Sequence, residues 1–122
     1  MDGATPLDSF GEMIAHHLRD AALRRAEAIL NDSLKSPATQ SLQAEVHGFS
    51  PQQREALRSF VRDSVDAGIH EFLSKLQEYS DLGGSVNVLA NGQDVATLSD
   101  GLQGEVYSND GWYARFSAFP SE

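Results

Sequence analysis

Apolar positions along this chain follow two periods, and the switch between them falls at Gly83-Gly84. Before that point the spacing is helical. In TPLDSFGEMIAHHLRDAALRRAEAILNDSLK, with successive residues about 100° apart, Phe10, Ile14, His17, Leu18 and Ala21 share one face, and Leu23, Leu30 and Leu34 form a second stripe. Thr5 before Pro6 is a capping residue followed by proline at the first helical position, with Asp8 and Glu12 at the favourable end of the dipole. The pattern predicts a first helix over 5–35 that touches two surfaces. SPATQSLQAEVHGFS, rich in Ser, Pro and Gly and without a clear period, reads as a loop over 36–49.

The second helix has stronger punctuation. Ser50 is an N-cap, Pro51 opens the first turn and Gln53 stands at the capping-box position. Leu57, Val61, Val65, Ile69, Phe72, Leu73 and Leu76 then recur at helical spacing, and Gly83 or Gly84 supplies a left-handed stop, giving a helix over 50–82. Beyond it the period becomes two. SVNVLANGQDVATL reads as two strands about an Asn91-Gly92 type I′ turn, with Val88 opposite Val95, Val86 opposite Thr97 and Leu89 opposite Asp94. A second pair follows around Asn109-Asp110-Gly111, where Trp112, Ala114 and Phe116 alternate with Tyr113, Arg115 and Ser117. The expectation is an α+β fold in one domain spanning 1–122: two long antiparallel helices, then an antiparallel β-meander of three to four strands over 85–119 packed on them.

Composition narrows the function classes. The net charge of −9 disfavours nucleic acid, because a phosphate backbone meets repulsion over most of the surface. Absence of cysteine excludes disulfides, thiolate metal sites and thiol nucleophiles. No secretory leader and no membrane-spanning apolar run is read, so the expected location is cytoplasmic, with no membrane partner. No nucleophile elbow or phosphate loop appears in its required context, and the chain reads as non-enzymatic, without a cofactor.

Charge is concentrated toward the C-terminus. Residues 77–122 carry seven acids against Arg115 alone, or −6 of the total, together with Tyr107, Trp112, Tyr113, Phe116 and Phe119. Aromatics rimmed by acids suit a basic protein partner, since rings bury area at low entropic cost and acids steer the approach. The expected binding residues are Asp100, Glu105, Tyr107, Asp110, Trp112 and Tyr113, in a small acidic binding domain of the immunity or antitoxin type. Strand alternation would instead send Trp112 inward as a core anchor and leave Tyr113 outside. One alternative is a metal-binding helical hairpin: Asp63, Asp66 and His70 share a helix face, and Glu12, His16 and Asp20 follow i,i+4 spacing on the first helix. That alternative competes with a solvated, salt-linked helix face, and His17 with a satisfied core or interface histidine. Another is a homodimer through the Leu23, Leu30 and Leu34 stripe of helix 1.

Overall fold

The computed structural model describes residues 5–119, and their architecture is mainly helical rather than α+β. Its four helices are a compound first helix (α1, Pro6–Met13; a π-helical stretch, Ile14–Asp20; α2, Ala21–Leu30), α3 (Pro37–His47), α4 (Pro51–Asp81) and α5 (Trp112–Phe116). The expected meander is reduced to one two-stranded antiparallel ribbon, β1 (Leu89–Ala90) with β2 (Gln93–Asp94).

Local signals produce the helix ends. Thr5 accepts a hydrogen bond from the Asp8 N–H at 3.0 Å, and Ser50 and Gln53 form a reciprocal capping box. At the end of α4, Gly83 takes φ +68°, with Gly83 N–H bonded to Ser80 O and Gly84 N–H to Tyr79 O, the paired bonds of a Schellman motif. Asp32 does the same for α2 with φ 55°, so the first helix stops at Leu30 rather than running on to residue 35.

The expected loop over 36–49 is α3. Ser36 accepts from Ala38 N–H and Pro37 opens the helix, the same Ser-Pro punctuation as at Ser50-Pro51. Its weak apolar period hid it, because the helix buries Thr39 and Gln43 along with Val46. Gln43 is spent on the chain itself: its amide accepts from Leu34 N–H and donates to Leu34 O, both at 3.0 Å, tying the connecting segment to α3. Leu23 and Leu30 are buried within the chain, where α2 meets α3 and α4. Two of the three residues of the stripe read as a dimer surface therefore lie inside the chain, and Leu34 is half-buried.

The ribbon keeps its expected turn and register and then stops. Asn91 and Gly92 both have positive φ, as a type I′ turn requires, and Leu89 pairs with Asp94. Val95 N–H still reaches Val88 O at 3.0 Å, but Asp94 caps Ala96 N–H and Val95–Leu98 coils into a 3₁₀ turn. A second 3₁₀ turn spans Leu102–Glu105. Where a sheet would supply ladder bonds, the buried Gln77 of α4 donates to Ala96 O at 3.0 Å and accepts from Leu102 N–H at 2.9 Å. Val95, Leu102, Val106, Trp112 and Tyr113 thus reach one core with Phe10, Ile14, Ile69, Leu73 and Leu76 by turns and short helices, not by alternation. Residues 112–116 are helical, so the second expected hairpin does not exist.

Candidate functional site

The π-helical stretch decides which side chains enter the interior. Its i→i+5 bonds widen each turn, and the buried positions step from Ile14 and Ala15 to Arg19 and Asp20 before returning to Leu23. A uniform helical wheel instead puts His17 and Leu18 inside; both are exposed. His17 accordingly edges an apolar groove of about 330 Å³ with Met13, Leu18, Phe72 and Val88, and is not a core histidine.

Arg19 and Asp20 are both fully buried. The Arg19 guanidinium donates from Nε to Asp66 Oδ1 at 2.7 Å and from Nη2 to Asp66 Oδ2 at 3.3 Å, a fork-to-fork pair between the first helix and α4. Its Nη1 donates to Ser117 Oγ at 2.9 Å and to the Phe119 carbonyl. Its Cζ lies 4.0 Å from the Tyr113 ring centroid, a desolvated cation–π contact. Asp20 accepts from Ser117 Oγ at 2.6 Å and from Ala118 N–H at 2.7 Å. Two charges are buried here because each has several partners, the condition under which burial is tolerated.

Asp66 and Phe119 of this network also line a cleft of about 370 Å³ between α2 and α4. Leu23, Ala26, Val61 and Phe119 give it apolar walls, and Glu27, Glu55, Arg58, Arg62, Asp63 and Asp66 rim it. Arg58 Nε donates to Glu27 at 2.7 Å, and that bond raises the guanidinium above its ordinary pKa. Arg62 is also engaged. Tyr107, 52 % exposed, stands edge-on to Tyr113 with ring centroids 5.3 Å apart. Partial burial raises the Tyr107 phenol, and the nearby Asp66 and Asp63 carboxylates add to the rise while Arg19 opposes it. Tyr113 is raised much further, by burial first and by Asp66 next.

The residues expected to bind a partner divide by exposure. Asp100, Tyr107 and Asp110 are exposed, and Glu105 is half-buried with its carboxylate accepting from Ser99 Oγ at 2.6 Å. Trp112 and Tyr113 are core residues at 0 % and 1 % exposure and offer a partner nothing. Helix α5, rather than a strand, turns both rings inward together. The alternative metal set is dispersed. Asp66 is paired with Arg19, Asp20 holds the 117–118 turn, His16 lies 3.9 Å from Glu12, Asp63 lines the cleft and His70 is exposed. Among the described residues no three His, Asp or Glu side chains converge on a metal position. Arg19 was missed by sequence reasoning. An Arg-Asp dipeptide in mid-helix carries no burial signal until the π-helical register is known.

No helix among the described residues is long and apolar enough to cross a membrane. Comparison with protein-family models, with curated proteins and with solved structures finds no match.

Proposed function

We propose that the protein is a small acidic, non-enzymatic binding domain for a basic protein partner, with Tyr107 as its anchor. The observation that carries this reading is the half-exposed Tyr107 ring within electrostatic reach of Asp63 and Asp66. An arginine or lysine laid over that ring gains a cation–π contact and the attraction of the carboxylates together. Asp100 and Asp110 extend the negative field over the exposed turns of the same C-terminal segment. Charged groups in and beside the cleft are already paired with one another, as in Arg19–Asp66 and Arg58–Glu27, which suits scaffolding better than proton transfer. Inhibition of a basic enzyme, in the manner of an immunity protein or antitoxin, is the role this surface fits, in a cytoplasmic setting.

The test is affinity capture from host lysate with the unsubstituted chain, Tyr107→Ala and Asp63→Asn, followed by binding measurements on the purified partner. A basic partner whose affinity falls at least about tenfold with Tyr107→Ala, and whose association slows with salt, supports the reading. A partner indifferent to both substitutions, or to ionic strength, refutes it.

A further inference from the structure

The segment Ser117–Phe119 sits on the molecule as a peptide ligand sits in a receptor. Among the described residues, the polar contacts that hold it come from its main chain or from one hydroxyl, and Ser117 N–H caps α5 by donating to Tyr113 O at 3.1 Å. Ala118 N–H and Ser117 Oγ donate to the two oxygens of Asp20, while Ser117 Oγ and the Phe119 carbonyl accept from Arg19 Nη1. Ser117 Oγ further accepts from Phe119 N–H at 2.9 Å, which curls the segment over the pair. The receptor side is built without it. Asp66 and the Tyr113 ring fix the guanidinium from α4 and α5, and Asp20 is set by the π-helical stretch. The segment itself lies close to solvent, with Ala118 exposed and Ser117 and Phe119 only partly buried. Surface segments whose hydrogen bonds lie close to solvent belong to the readily opening part of a structure.

The geometry points to a peptide-binding socket formed by Arg19, Asp20 and Asp66, occupied in this state by the chain's own 117–119 segment as an exchangeable strap. Its ligand class is an extended segment that offers Asp20 a hydroxyl and the following N–H, and offers Arg19 a carbonyl. Release of the strap leaves the Arg19–Asp66 pair intact but strips Asp20 of both donors, so the vacant socket favours capture of another such segment. Because Phe119 also walls the cleft, release widens the cleft as well. Neither Tyr107 nor a basic partner takes part in this binding.

Two experiments on the full chain test it. Ala118→Pro deletes the N–H that Asp20 accepts, and Ser117 already has φ −80° and ψ 141°, the region that a residue before proline adopts. A capped pentapeptide of residues 115–119, titrated into the Ala118→Pro chain, is expected to shift the Arg19 Nε–H resonance at concentrations at least about tenfold below those the unsubstituted chain needs, where the tethered strap competes. A folded Ala118→Pro chain that binds the peptide no better than the unsubstituted chain overturns the proposal. The second experiment needs no variant. Amide exchange at Ala118 should run at least about 100-fold faster than at Leu73 and be insensitive to low urea, as local opening is. Exchange at Ala118 only through global unfolding makes the strap a fixed part of the core and overturns the proposal.

Discussion

Gly11 and Gly68 both lie inside helices, yet the same substitution at each should have opposite signs. A Cβ built on Gly11 falls 2.3 Å from both Cε2 and Nε1 of Trp112 and 2.5 Å from Cδ1. Ordinary carbon contacts begin near 3.5 Å, so the ring must retreat by about 1.2 Å. It has nowhere to go, being fully buried and edge-on to Phe10 with centroids 5.7 Å apart. Overpacking of this kind costs about 1–3 kcal/mol, and a rigid aromatic blocked from behind belongs at the upper end. Alanine's better helix propensity returns about 1 kcal/mol, leaving Gly11→Ala less stable by about 2 kcal/mol. For a chain of this length that is a fall in Tm of roughly 8 °C. Gly68 in α4 meets nothing within 4 Å of a built Cβ, so Gly68→Ala collects the propensity alone and gains about 0.5–1 kcal/mol. Urea unfolding followed by far-ultraviolet circular dichroism gives both values, and emission from Trp112, the chain's single tryptophan, reports the Gly11 contact directly. A Gly11→Ala chain as stable as the unsubstituted one would refute the close packing of α1 on Trp112.

Three further outcomes follow from the same packing. Arg19→Ala should cost about 3–5 kcal/mol in urea unfolding, because it leaves the part-buried Asp66 and the strap acceptors unpaired; Arg19→Lys should recover less than half, since an ammonium lacks the planar fork and the stacking face. Tyr113 titrates far above a free phenol, so between the unfolded pKa of about 10 and that raised value the unfolded chain releases a proton that the native chain keeps. Stability contributed by the neutral phenol is therefore complete below pH 10 and declines above it; Tyr113→Phe should flatten that alkaline decline, and an unchanged slope would contradict the burial of the phenol. Ser36→Ala and Ser50→Ala should each lower stability by about 1 kcal/mol, and an unaffected Ser36→Ala chain would mean that the α3 cap contributes nothing.

What the sequence determined by itself is the set of features written within a few adjacent residues. Thr5-Pro6 and Ser50-Pro51 with Gln53 start helices, Gly83 ends one, and Asn91-Gly92 makes the turn that pairs Leu89 with Asp94. Each is a local hydrogen-bond or dihedral preference, strong enough to act wherever the segment lies. Only the tertiary structure decided the rest. The widened turn at Ile14–Asp20 exchanges His17 and Leu18 for Arg19 and Asp20 at the interior, and its stabilising partners, Asp66 and Ser117, lie 47 and 98 residues away in the chain. After Asp94 the expected strands give way because Gln77 satisfies the backbone of Ala96 and Leu102 from α4, so the segment buries Val95, Leu102, Val106, Trp112 and Tyr113 at intervals no period describes. Among the candidate binding residues, Tyr107 stays at the surface while Trp112 and Tyr113 do not, because helix α5 sends successive rings to the same core where a strand would have sent them to opposite faces.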